Sequence, residues 1–271
     1  DPDNPYVEEA HRLGGITEFE RHSRLGMVDE ESFLSEVERL RRIGAKYVTL
    51  KTGAYRPADL ARAVKYASEA KIDLLTVDGA GGGTGMSPWR MMNEWGIPTV
   101  QLESLLYKFL KRLEEKGEFV PDCAIAGGIA LEDHIFKAIA LGAPYVKAVC
   151  MGRAVLTAAM VGKTHGHLME ETFGRSTEYQ EMLLRTFVDA EQLKEKYGDQ
   201  FQTISPAAIG VYTYYDRLAT GLRQLMAGAR KFALQYLDRN DLMALTREAG
   251  EVSGIPYVME ADMEEVEKIL G

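Results

Sequence analysis

The chain has 271 residues, 46% of them hydrophobic, and a formal net charge of −9. That size suits one large α/β domain or two small ones, and the acidity offers no basic face for nucleic acid or an anionic membrane. No apolar run approaches the ~20 residues that cross a bilayer. The opening DPDNPYVEEA does not read as a signal-peptide core, and a cytoplasmic protein is expected. The two cysteines, Cys123 and Cys150, fall in apolar strand-like runs and read as buried, reduced thiols. Two thiols are also too few for the usual iron–sulfur clusters.

Residues 1–28 carry no clear period, and the prolines and Gly14-Gly15 mark an irregular segment. Asp29 reads as a helix cap; Phe33, Leu34, Val37, Leu40 and Ile43 follow at helical spacing, and Gly44 stops the helix. Lys46–Lys51 is the next strand, and Pro57 opens a helix with Leu60, Ala63, Val64 and Ala67 on one face. Ile72–Val77 reads as a strand buried on both faces. It runs into DGAGGGTG, where five of eight residues are glycine. A glycine-rich loop after a parallel strand lets a ligand approach the main chain, and ligand sites in parallel α/β folds lie at the carboxyl ends of strands. The following excursion, with Trp89, Met91, Met92 and Trp95, is long for a βα loop.

Leu102, Leu105, Leu106, Phe109, Leu110 and Leu113 form an amphipathic helix closed by Gly117. Asp122–Ala126 is a strand ending in Gly127-Gly128, Leu131–Leu141 a helix, and Tyr145–Cys150 a strand ending in Gly152-Arg153. Four βα units thus succeed one another. In eight-unit barrels the loops after the last two strands commonly hold a phosphate through backbone N–H groups and a helix N-terminus. Gly127-Gly128 and Gly152-Arg153 have the residue types for that, and arginine adds a bidentate contact. Lys51 at a strand's carboxyl end offers a fixed cation for an anionic ligand or a developing anion.

Beyond residue 162 there are no further βα units. His165 and His167 stand at i,i+2 without nearby carboxylates or cysteines, and no metal site is expected. Glu178–Lys196 and Val211–Tyr236 read as helices, the second with Tyr214, Leu218, Leu222, Leu225 and Met226 for packing, and Met263–Leu270 as a short acidic helix.

The segments LKTG, VDGAGGGTGMSP, AGGI and LEDHIFKAIALGAPYVKAVCMGRAVL resemble the flavin-binding domain of the glutamate synthase family over about residues 28–162. A weaker likeness follows at YYDRLATGLRQLMAGAR. The resemblance implies a (β/α)8 barrel of TIM type that binds FMN at the carboxyl ends of its strands. It implies that Lys51 lies at the flavin pyrimidine edge, as cofactor contact and catalytic cation. It implies that Gly127, Gly128, Gly152 and Arg153 cradle the phosphate. Asp78, Gly81, Gly82, Gly83 and Thr84 would be further cofactor contacts, and the Gly81–Gly85 loop would shape the floor where flavin meets the intermediate formed from ammonia and 2-oxoglutarate.

Three departures qualify it. The family's cysteine cluster would follow Arg153, where this chain reads AVLTAAMVGKTHGHL. The family's glutamine-hydrolysing cysteine has no counterpart, so ammonia and electrons are expected from elsewhere. Arginine stands at position 153, where the family usually has threonine.

Only the last four βα units are visible, since too few residues precede Lys46 for four more of roughly 25–30 residues each. The expected organisation is an irregular segment at 1–28, half of an FMN barrel at 29–162 and a mostly helical extension at 163–271. Half a parallel barrel exposes sheet edges and apolar surface. A separate or cleaved N-terminal half, or a second copy, is therefore expected to complete it, and an oligomer with it. The expected function is reductive amination of 2-oxoglutarate to glutamate. The alternatives are a flavin-binding or scaffold subunit without activity of its own, or another flavin-barrel oxidoreductase. A 2-hydroxy-acid oxidase is disfavoured, because no histidine–arginine pair stands beside these strands.

Overall fold

The computed structural model describes residues 5–14, 29–53, 56–82 and 94–271. The chain divides into two compact units, Asp1–Lys46 and Tyr47–Gly271. The first holds helices α1 (Pro5–Arg12) and α2 (Glu30–Arg42). Asp29 caps α2 as expected, its carboxylate accepting from the Ser32 N–H at 2.8 Å. Glu30 and Glu31 in the first turn and Arg39, Arg41 and Arg42 in the last complement the helix dipole.

The second unit is built on β1 (Thr49–Gly53), β2 (Leu74–Asp78), β3 (Asp122–Ala126) and β4 (Val146–Cys150), all parallel and in the order β1-β2-β3-β4. The connecting helices are α3 (Pro57–Glu69), α4 (Thr99–Glu115) and α5 (Glu132–Gly142). An order that never turns back, with right-handed crossovers, puts every helix on one face of the sheet. A doubly wound sheet would reverse its order and cover both faces. These strands are therefore an arc of a singly wound sheet, compatible with part of a barrel.

The register assigns the faces. Leu75 and Val77 of β2 alternate with Thr76 and Asp78, and pair with Cys123 and Ile125 of β3. Leu75, Val77, Cys123 and Ile125 are fully buried, as are Leu102, Leu106 and Leu110 of α4, and they form the core under the helices. The opposite face carries Lys51, Thr76, Asp78, Ala124, Ala126 and Cys150, which are polar or small.

Several expectations shift. The first strand starts three residues later than expected. The Val48 N–H is taken by the Asp73 carboxylate at 2.7 Å, which ties this stretch to the approach to β2 instead of the ladder. Cys123 is buried, but Cys150 is exposed, because β4 is an edge strand and Cys150 lies on the face without helices. Lys147 sits at a register shift opposite Cys123 and Ala124.

After β4 comes α6 (Arg153–Phe173), which runs unbroken through position 162. Then follow α7 (Thr177–Thr186), α8 (Ala190–Tyr197), α9 (Pro206–Gly228), α10 (Arg247–Ser253) and α11 (Met263–Leu270). The expected helix at 178–196 is two helices, because Phe187 turns extended and buries its ring. The expected helix at 211–236 begins earlier and ends sooner. Ser205 caps it and Pro206 holds the first turn, and beyond Gly228 Arg230 adopts φ +57°. Met169, Tyr179, Leu183, Phe187, Leu193, Phe201 and Ile209 make a second core among these helices. The Tyr214 hydroxyl donates to the Ala130 carbonyl at 2.5 Å, tying α9 to the loop before α5.

Helices α6 and α9 meet along small residues. A Cβ on Gly162 would stand 2.4 Å from the Pro206 carbonyl oxygen, and one on Gly210 2.7 Å from that of Ala158. Backbone atoms yield little, so Gly162→Ala is expected to lower the urea midpoint by the equivalent of about 1–3 kcal/mol. Gly228→Ala, where an added Cβ meets nothing within 4 Å, is expected to be neutral or stabilising by up to ~1 kcal/mol. Equal behaviour of the two variants would contradict the close helix contact.

Glu103 of α4 is only 2% exposed. Burial pushes its carboxyl well above the usual range, opposed by the charge of Arg239. The folded state therefore keeps the Glu103 proton to higher pH than the unfolded chain, whose glutamates titrate near ~4.3. Stability contributed at this site falls as pH rises above that value, until the folded group itself ionises. Glu103→Gln should raise the thermal midpoint at pH 7 and lose that advantage toward pH 4. A gain independent of pH would show that ionisation is not the cause.

Candidate functional site

The last residues of the four strands, Gly53, Asp78, Ala126 and Cys150, lie in register across the sheet. Above them opens a cavity of about 530 Å³, lined by Lys51, Asp78, Gly81, Gly82, the 126–130 loop and residues 150–154 and 156. Parallel sheets place ligands there because βα loops and helix N-termini converge at that end.

Lys51 and Asp78 reach the cavity from neighbouring strands and form an ion pair at 3.0 Å. Gly82 has no room for a side chain, since a Cβ there would fall 1.6 Å from an Asp78 carboxylate oxygen. The Arg153 guanidinium crosses the opening and donates to the Gly81 carbonyl. Arg153 also begins α6, whose cap Gly152 supplies no side-chain hydrogen bond. The first-turn N–H groups of a 21-residue helix thus point toward the cavity without intrahelical partners. Lys51 and Arg153 against Asp78 leave the lining with one excess positive charge.

Gly127 has φ +121°, a region unfavourable for residues with a side chain, and a Cβ there would come within 2.3 Å of the Thr99 hydroxyl. That hydroxyl donates to the Gly127 carbonyl at 2.8 Å and lies 3.4 Å from the Ala80 carbonyl. The Ala80 N–H in turn donates to the Ile97 carbonyl at 2.8 Å. Thr99 therefore fastens the two glycine loops to the start of α4.

Of the residues singled out from sequence, Lys51, Asp78, Gly81, Gly82, Gly127, Gly128, Gly152 and Arg153 all line this one cavity. Gly83 and Thr84 lie outside the described residues, as do Trp89, Met91 and Met92. Thr99 was not anticipated. Pro98-Thr99 before an apolar helix signals a helix start, but nothing in the spacing says that its hydroxyl serves a loop 28 residues away. Contrary to the expectation of no carboxylate near the two histidines, His167 faces Glu171 at 3.3 Å, one helical turn along an exposed surface. Among the described residues no cluster of three histidine, cysteine or acidic side chains is arranged to hold a metal. A larger hollow of about 1020 Å³ lies between α5 and residues 231–240. Of its three cations, Lys231 pairs with Asp238 at 3.0 Å, Arg239 donates to the carbonyls of Leu141 and Ser253, and Lys147 also lines the wall.

Thr99→Val keeps the shape of the side chain and removes the donor. It should cost about 1 kcal/mol of stability and speed amide exchange at Gly79 and Gly82, whereas Thr99→Ser should leave both near wild type. Unchanged exchange in Thr99→Val would show that the hydroxyl does not hold the loops.

The family described as the conserved region in glutamate synthase matches residues 21–180, more than half of the chain. Archaeal-type glutamate synthase [NADPH] of Dehalococcoides mccartyi is 40% identical over 90 residues, 33% of this chain and 17% of that protein. The protein of the same name from Thermotoga neapolitana is 38% identical over 90 residues, again 33% and 17%. The glutamate synthase large subunit-like protein YerD of Bacillus subtilis is 29% identical over 115 residues, 42% of this chain and 22% of that protein. The chain thus spans about a fifth of the length of these relatives. The matched region contains all four strands and both glycine loops, and on that ground the chain belongs to the glutamate synthase family.

Proposed function

We propose that this chain supplies the phosphate-holding side of an FMN site in an oxidoreductase of glutamate synthase type. One observation carries the reading: two cations, two glycine loops and an uncapped helix N-terminus converge on a single cavity at the carboxyl ends of parallel strands. The residues suit the group. A dianionic phosphate fits the first turn of α6, where Gly152 leaves the N–H groups open and Arg153 adds a charge-assisted donor. Gly127 and Gly128 line the same wall and keep side chains away from it.

Lys51 is the cation for the flavin's pyrimidine edge, and Asp78, only 5% exposed, steadies it. Gly82 leaves the carboxylate room to do so. The chemistry that bound FMN brings is hydride transfer, here for the reductive amination of 2-oxoglutarate to glutamate. Ammonia and electrons arrive from other domains or chains. The N-terminal half of the barrel would complete the site. Among the described residues β1 and β4 each have one sheet neighbour, so each keeps an open edge. A second copy of the chain is the other way to cover them.

Arg153→Ala is expected to weaken FMN binding by roughly 10- to 100-fold, the value of a charge-assisted hydrogen bond. It should leave riboflavin, which has no phosphate, nearly unaffected. Lys51→Ala in the assembled protein should retain FMN and lose most flavin-dependent glutamate formation. Equal weakening of both flavins by Arg153→Ala would reject the phosphate assignment. Full FMN binding with no turnover in the wild type would favour a flavin-binding subunit without activity of its own.

A further inference from the structure

We infer that the cavity bounded by α4, α5 and residues 242–255 is a second binding site, for a neutral, mainly apolar molecule that carries one hydrogen-bond acceptor. The cavity has a volume of about 510 Å³, within the range of small-molecule sites. Its walls are chiefly apolar, with Val100, Ala138, Leu141, Leu242, Ala244 and Ile255 among them. Leu141, Ala244 and Ile255 form a buried cluster of their own, with Leu242 packed against it. At the rim Met243 is 46% and Leu245 77% exposed, which leaves apolar surface available to a guest.

The polar groups of the wall narrow the chemistry. Thr99 donates to the Gly127 carbonyl, His134 Nδ1 accepts from the Ala130 N–H, Lys137 pairs with Asp133, and the Ser253 hydroxyl donates to the Ala249 carbonyl. Glu103 differs. It lines the cavity, is 2% exposed, and its Oε1 has no hydrogen-bond partner among the described residues. The nearby Arg239 is committed to the Leu141 and Ser253 carbonyls and lies over the Tyr107 ring at 3.9 Å. Burial favours the protonated form of this carboxyl, which offers an O–H, and a buried donor without an acceptor is costly. Water is a poor substitute, because a trapped water needs two to four polar partners and the other polar side chains of the wall each already hold one. A carbonyl on an apolar body satisfies both the wall and the acid. Gly127–Ile129 lines both this cavity and the cofactor cavity, and no other residue is common to the two linings.

The test uses the full chain and a shape-matched pair of probes, 2-acetonaphthone and 2-ethylnaphthalene, titrated by calorimetry. Methyl resonances of Leu141, Leu242 and Leu245 report the place of binding. The ketone is expected to bind about three- to ten-fold more tightly than the hydrocarbon and to shift those methyls. Glu103→Leu should erase the preference, and Glu103→Gln, which retains a donor, should keep it. Ala138→Trp should block both probes, with circular dichroism confirming that each variant is folded. Absence of binding, equal affinity for the two probes in the wild type, or binding undiminished by Ala138→Trp would overturn the site.

Discussion

The unreversed order of four parallel strands is the constraint on which the rest of this structure depends. With every crossover helix on one face, the apolar alternation of β2 and β3 is buried there, and the opposite face is free to carry Lys51, Asp78 and small residues. The same order aligns the strand ends at Gly53, Asp78, Ala126 and Cys150. Loops leaving aligned strands must turn within one small volume, and glycines at Gly81, Gly82, Gly127 and Gly128 allow them to do so without side chains filling it. The cavity is a consequence of topology first and of composition second.

Interactions of modest individual strength keep that volume shaped. The Thr99 hydroxyl ties the Gly127 loop to α4, Arg153 ties α6 to Gly81, and the Lys51–Asp78 pair joins β1 to β2. None is a large stabilising term. Lys51 is half exposed, and such pairs contribute little to folding. Their effect is to hold charges and donors in place before a ligand arrives, which lowers the ordering cost of binding.

Much of this was legible in the sequence, for reasons that differ by element. Asp122–Ala126 is read correctly because it is a central strand buried on both sides, where composition alone decides. The α2 cap at Asp29 is a local interaction and is visible locally. Cys150 misled because an edge strand can share the apolar composition of a central one, and only the strand order exposes it. The tyrosine and leucine spacing sets the start of α9 too late, because the local start signal, Ser205-Pro206, lies N-terminal to the apolar periodicity. Thr99 could not be read at all, since its partner lies in a loop brought close only by the fold. Lys51, Asp78 and Arg153 were placed at the site by the strand–loop pattern together with the family resemblance, and the structure brings the three to one cavity.

The proposed function joins two features of the described residues, the open edges of β1 and β4 and the cations and helix N-terminus at one end of the cavity. The most direct measurement is the visible absorption spectrum and cofactor content of the complete native assembly, purified without denaturant. An oxidised-flavin spectrum, with one FMN for each copy of this chain, is expected. A colourless assembly that takes up no added FMN would contradict the proposed function.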